Sequence, residues 1–246
     1  MAKLNCMNAL DSLAISLTGS LSQSSIFFNQ LVVTISENDL FKGIPTMFSF
    51  FYLYHSATSD SNQAASDESS AERRRRLLLK TLMGAFLALV LGRICQVALP
   101  FRPRPMNATD FVFLMPPGTE KKMGDWSSFP SDHLALFASL ATGYVLANRR
   151  FGLIYSLYVA VFIACPRIFL GLHYLTDVLV GSLMGCLCTF ATQKLPVCES
   201  LAVKLDDFGT KHPGVFQAMM FFVCFEVATL FDSIRELGSF LHKGHL

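Results

Sequence analysis

Hydrophobic positions along this chain gather into apolar runs separated by polar or proline-rich stretches. Leu40 to His55 is a short apolar and aromatic run that reaches spanning length if extended by a residue or two at each end. Leu77 to about Leu99, Leu134 to Ala147 with its flanks, Phe151 to about Cys165, Tyr174 to Thr192 and Val215 to about Phe231 continue the series. The pattern predicts an all-α integral membrane bundle of about six transmembrane helices. Residues 1 to about 36 differ, because Leu10, Leu13, Ile15, Leu17, Leu21, Ile26, Phe27 and Phe28 are interrupted by Asp11 and many Ser and Thr. Such a segment suits one or two amphipathic helices lying at the membrane interface. Two units are expected, an interfacial segment over 1–39 and a transmembrane domain over 40–246.

The breaks between runs carry the topology. Ser56 to Glu72 has no apolar stripe, leads into Arg73 to Arg76 and reads as a loop. Residues 100 to 129 hold Pro100, Pro103, Pro105, Pro116 and Pro117, which break any helix, and this loop is long enough to be functional. Arg73 to Arg76, Arg149 with Arg150, and Lys194 with Lys204 fall on one side, which is the cytoplasm by the positive-inside rule. The second loop and the stretch from Cys165 to Asp177 then share the opposite face. The expected location is the plasma (inner) membrane, with that face periplasmic or extracellular.

Composition narrows the functional class. With 52% hydrophobic residues, 15% charged and a mean hydropathy of +0.44, an ordinary soluble domain is excluded. A net charge of +2 is too small to suggest nucleic acid as a partner. The seven cysteines show no paired metal-ligand spacing, so no metal and no cofactor are expected. No basic region leads into a clean apolar stretch and cleavage site at the start, so no removed signal peptide is expected.

Ionisable residues inside such runs mark function, because a bilayer excludes them. Arg167, His173 and Asp177 stand where one run ends and the next begins. Two further segments come to the same side: Arg93, Arg102 and Arg104 at the end of the second run, and Ser131, Asp132 and His133 at the mouth of the third. Guanidinium groups match a tetrahedral oxyanion through paired charge-assisted hydrogen bonds, so the cluster points to phosphate. Ser131 starts a helix, either as a simple cap or as part of an anion site. His173 and Asp177 are four apart and share a helix face, as a structural pair or as an oriented nucleophile. Gly171 allows a break that could bring Arg167 and His173 to one phosphate. His133 is suited to protonate a leaving group.

These segments resemble the type 2 phosphatidic acid phosphatase (PAP2) superfamily of membrane lipid phosphatases, whose pattern is K-x6-R-P, P-S-G-H and S-R-x5-H-x3-D. The third motif matches at Arg167, His173 and Asp177 and the second at Pro130, Ser131 and His133, within about residues 77 to 195. The resemblance implies a helical bundle and metal-independent hydrolysis through a phosphohistidine on His173, with Asp177 orienting it and His133 protonating the leaving group. Arg104, Arg167, Ser131 and the backbone at Asp132 would hold the phosphate. Three positions depart from the pattern. Val97 and Cys95 stand where the lysine would, so Arg93 or Arg102 is expected to replace that cation; Asp132 replaces glycine, and Pro166 replaces serine. The expected substrate is a membrane lipid phosphate or diphosphate, such as an isoprenyl diphosphate, phosphatidic acid or phosphatidylglycerol phosphate. A lipid phosphotransferase using the same phosphohistidine, and a non-catalytic phospholipid-binding or transport protein, are the alternatives.

Overall fold

In the computed structural model, residues 8–23, 25–59, 68–119 and 126–230 are described. All regular structure among them is helical. The helices are α1 (Ala9–Ser22), α2 (Ile26–Glu37), α3 (Asp39–Ser59), α4 (Glu68–Ala98), α5 (Asp132–Ala147), α6 (Arg149–Phe169), α7 (Leu175–Lys194), α8 (Pro196–Lys211) and α9 (Pro213–Ala228). Side chains set several starts. The Asn8 carboxamide accepts from Asp11 N, Ser25 caps α2, and the Asn148 side chain accepts from Phe151 N at 3.1 Å to open α6. Pro196 and Pro213 stand at first helical positions, where a missing N–H costs nothing.

Ser70–Ala98, Arg149–Phe169 and Leu175–Lys194 are long and apolar enough to cross a membrane. Together with the shorter apolar helices α2, α5 and α9 they make this an all-helical membrane protein. The run expected from Leu40 is the 21-residue α3, which carries Asp39, Lys42 and Pro45 within it. The run expected to close at Phe231 is α9, which ends at Ala228, and Phe231 lies outside the described residues. Within the expected loop from Ser56 to Glu72, α3 continues to Ser59 and α4 begins at Glu68, while residues 60–67 lie outside the described residues.

α5 is the centre of the bundle, packed by α4, α6 and α7. That explains a helix apolar on nearly every side: Ala135, Leu136, Phe137, Leu140 and Tyr144 are all fully enclosed. Small residues let α7 approach it closely, since a side chain at Gly181 would run into the Ser131 carbonyl and one at Gly185 into that of Ala135. Buried hydroxyls fix the register, with Ser139 and Thr189 sharing a 2.7 Å hydrogen bond and Thr192 donating to the Lys80 carbonyl at 3.0 Å. At the basic end, Arg75 forks onto both oxygens of Asp206 at 2.7 and 3.2 Å, docking α8 against α4.

Pro166 shapes the other end of α6. Lacking an N–H and crowding the carbonyl four residues back, it is preceded by a π-helical turn over Val159–Ala164. α6 closes at Phe169 and the chain reverses at Gly171, whose φ of +66° favours glycine.

Candidate active site

The reversal at Gly171 brings Arg167 and His173 together. The backbone N–H groups of Leu172 and His173 both donate to the Arg167 carbonyl, at 2.9 and 3.1 Å. Two residues on, α7 begins, and its first N–H groups have no partner within the helix. Asp177 answers this by turning back to accept from Tyr174 N at 2.8 Å. The same carboxylate accepts from the Ser128 hydroxyl and from Arg102 Nη1 at 2.5 Å. One buried side chain thus joins the start of α7, the approach to α5 and the loop after α4.

His173 is buried, and its Nδ1 lies 2.8 Å from the Ser128 carbonyl oxygen and 3.8 Å from Asp177 Oδ2. Where the spacing suggested a direct bond from the imidazole to Asp177, the carboxylate grips Ser128 and the Ser128 carbonyl grips the imidazole. A carbonyl oxygen can only accept, so Nδ1 carries a proton, and in the neutral ring Nε2 is the nitrogen with the lone pair.

The start of α5 is tied to the same point. Ser131 N donates to the Asp177 carbonyl at 3.1 Å, and the Ser131 hydroxyl caps α5 through Leu134 N at 3.5 Å. The Asp132 carboxylate turns to protein partners: Oδ1 lies 2.9 Å from His133 Nδ1, and Oδ2 pairs with Arg93 Nη2 at 2.7 Å. A carboxylate on Nδ1 leaves the His133 Nε2 as the nitrogen available for proton transfer.

Beside these groups lies a cavity of about 540 Å³, within the range of small-molecule sites. Its polar lining combines the basic Arg104, Arg167, His133 and Lys42 with the carboxylates Glu37 and Asp39 and the hydroxyls of Ser36 and Thr119. Arg104 Nε is buried with no protein acceptor. Burial pushes the Arg104 guanidinium below its usual range and Arg93 adds to this, with the Asp132 charge opposing. An enclosed cation with a spare donor is suited to an anion.

Of the expected site residues, Arg104, Arg167 and His133 line the cavity; the buried His173 is not among its lining residues, although its chain neighbour Leu172 is. Ser131, Asp132 and Asp177 hold these groups in place. The two cations expected to replace the motif lysine are committed elsewhere. Arg93 pairs with Asp132 and lies over the Trp126 ring at 5.4 Å. Arg102 lies 3.9 Å from the Tyr174 ring and reaches Asp177, Thr176 Oγ1 (2.9 Å) and Asp11 Oδ2 (2.8 Å). Each arginine pairs with a buried carboxylate, and a desolvated carboxylate demands a partner.

Sequence reasoning passed over Ser128, Asp11, Ser36 and Lys42. Asp11 on α1 accepts from Thr176 N and Thr176 Oγ1, both at 2.9 Å, so α1 clamps the first turn of α7. Lys42 carried a usable signal, since it is an ionisable residue inside an apolar run, as Arg167 is.

Residues 76–197 match the family model described as PAP2 superfamily. This segment belongs to the PAP2 superfamily. All the motif positions named above lie within the PAP2 match, whereas Asp11, Ser36 and Lys42 precede it. A curated relative, "Undecaprenyl-diphosphatase" of Sulfolobus acidocaldarius, is 27% identical over 109 residues, covering 44% of this chain and 50% of the relative. The chain therefore spans about half the length of that relative. No solved structure matches.

Proposed function

We propose that this protein is an integral membrane phosphatase that hydrolyses a lipid phosphate or diphosphate, with His173 as the nucleophile. The observation that carries the reading is the bond between His173 Nδ1 and the Ser128 carbonyl, which leaves Nε2 as a neutral, oriented nucleophile. Nε2 attacks phosphorus and forms a P–N bond as the P–O bond to the lipid breaks. His133, oriented by Asp132 and protonated as the anionic substrate binds, donates its proton to the departing oxygen. Water then attacks the phosphohistidine, His133 takes its proton, and inorganic phosphate leaves as the P–N bond breaks. Arg104 and Arg167 hold the equatorial oxygens, whose charge grows most in the transition state. No metal enters these steps.

The name of the relative, an undecaprenyl-diphosphatase, supports an isoprenyl diphosphate as the first substrate to test, ahead of phosphatidic acid or phosphatidylglycerol phosphate. We place the site on the periplasmic or extracellular side of the plasma membrane, opposite the arginine-rich start of α4. We place α1 and α2 along the interface, supported by the exposed Leu10, Leu13, Leu17, Ile26 and Phe27. Phosphate release from these lipids in detergent with a chelator present tests the reaction. Release abolished in His173→Ala is expected; equal release by that variant would overturn the assignment.

A further inference from the structure

At the corner between α2 and α3, two residues face the cavity from outside the PAP2 segment. Ser36 is 4% exposed and its Oγ is buried with no partner, while its carbonyl accepts from Arg167 Nη2 at 3.5 Å. Lys42 is the first-turn cation of α3, with a side chain only 7% exposed. α3 is pinned to α6 by the Thr46–Tyr155 hydroxyl pair at 2.8 Å and by the Tyr158 hydroxyl on the Phe41 carbonyl. Asn38 caps the turn by accepting from Leu40 N at 2.9 Å. Lys42 thereby lines the cavity together with Arg167 and His133.

We propose that Ser36 and Lys42 form a second phosphate subsite beside the Arg104–Arg167 pair, matching the cavity to a lipid diphosphate rather than a monophosphate. This rests on the phosphatase reading above. Two guanidiniums match the charge of a monophosphate dianion, and a diphosphate brings at least one further negative charge into a cavity that Glu37 and Asp39 also line, so a further cation is needed there. Arg93 and Arg102 are held by Asp132, Asp11 and Asp177, so among the described residues Lys42 is the cavity-lining cation beyond the arginine pair. Its partner here is Asp39, at 2.6 Å and 53% exposed. That carboxylate can turn to water as substrate enters, whereas the enclosed ammonium cannot, so Asp39 shields Lys42 only while the site is empty.

The test uses the full chain in detergent micelles, with inorganic pyrophosphate and orthophosphate as binding probes and farnesyl diphosphate and farnesyl monophosphate as substrates. Lys42→Met is expected to weaken pyrophosphate about tenfold to a hundredfold and orthophosphate by much less, as loss of one charged hydrogen-bond partner implies. In turnover the loss appears mainly in KM for the diphosphate, and Lys42→Arg recovers most of it. Ser36→Ala, which removes one oxygen, shifts the same preference in the same direction and decides the matter if Lys42→Met does not fold. Equal losses on both probes, or none, would overturn the subsite. Lys42-dependent pyrophosphate binding in a protein that releases no phosphate would sink the hydrolytic reading and leave the subsite standing.

Discussion

Asp177 Oδ2 and His173 Nδ1 stand 3.8 Å apart, while the Ser128 carbonyl lies 2.8 Å from that same nitrogen. The carboxylate therefore reaches the imidazole through Ser128, whose hydroxyl donates to it. An asparagine at 177 can still occupy this space but cannot balance Arg102 or accept on both oxygens. Asp177→Asn is expected to lower kcat about 10–100-fold, the scale of an indirect orienting partner, and not the roughly 10⁴-fold of a carboxylate bonded directly to a catalytic imidazole. Steady-state kinetics on a lipid diphosphate separates the two. Ser128→Ala should reproduce only part of the loss, because the carbonyl that holds the imidazole survives.

Asp132 and His133 form the second pair, with the carboxylate shared between Arg93 and the imidazole. If His133 protonates the leaving oxygen, its removal matters most when that oxygen is basic. His133→Gln should cost roughly 10²–10⁴-fold on an alkyl phosphate and much less on an aryl phosphate, whose leaving group departs unaided. Comparing farnesyl monophosphate, which loses an alkoxide, with p-nitrophenyl phosphate reads this directly. A uniform loss on both would assign His133 to binding instead.

The apolar runs were legible because lipid-length stretches and proline-rich breaks leave few other readings. The motif residues were legible because each is an ionisable group at the end of such a run. The break at Gly171 could be anticipated, since only a reversal there brings Arg167 and His173 together. What stayed hidden depends on tertiary approach. Asp11 sits in a segment already rich in Ser and Thr, where one more polar residue marks nothing, and its partner Thr176 is far away in the chain. Ser128 offers its main-chain oxygen, which no side-chain pattern encodes. The bond expected from Asp177 to His173 followed from their spacing within one helix, but α7 begins only at Leu175, so His173 lies outside it. α8 was not foreseen, because its polar face toward Arg75 and Lys80 resembles a loop in composition.

The clamp from α1 makes its own prediction. Asp11 is fully buried and joins Arg102 to the first turn of α7. Asp11→Ala strands one arm of Arg102 and the Thr176 donors, and breaking a buried pair in this way costs about 3–5 kcal/mol. Thermal unfolding in detergent should show a markedly lower midpoint, with activity lost in parallel because Arg102 also holds Asp177. A midpoint unchanged within error would mean that α1 is not fastened to the core in this way.

Gly181 and Gly19 offer a paired test of close approach. On α7, a methyl group at 181 meets the Ser131 carbonyl, so Gly181→Ala must push α5 and α7 apart at the point where Ser131 N reaches the Asp177 carbonyl. Overpacking of this kind costs about 1–3 kcal/mol. It also shifts Ser131 and His133 relative to His173, so kcat should fall more than stability alone explains. On α1, nothing lies within 4 Å of a methyl group at Gly19, and Gly19→Ala should stabilise by about 0.5–1 kcal/mol through helix propensity. Measuring unfolding and kcat for both variants distinguishes a steric requirement at the α5–α7 crossing from a general preference for glycine. If Gly181→Ala behaves like Gly19→Ala, the crossing is looser than the contact between Gly181 and Ser131 implies.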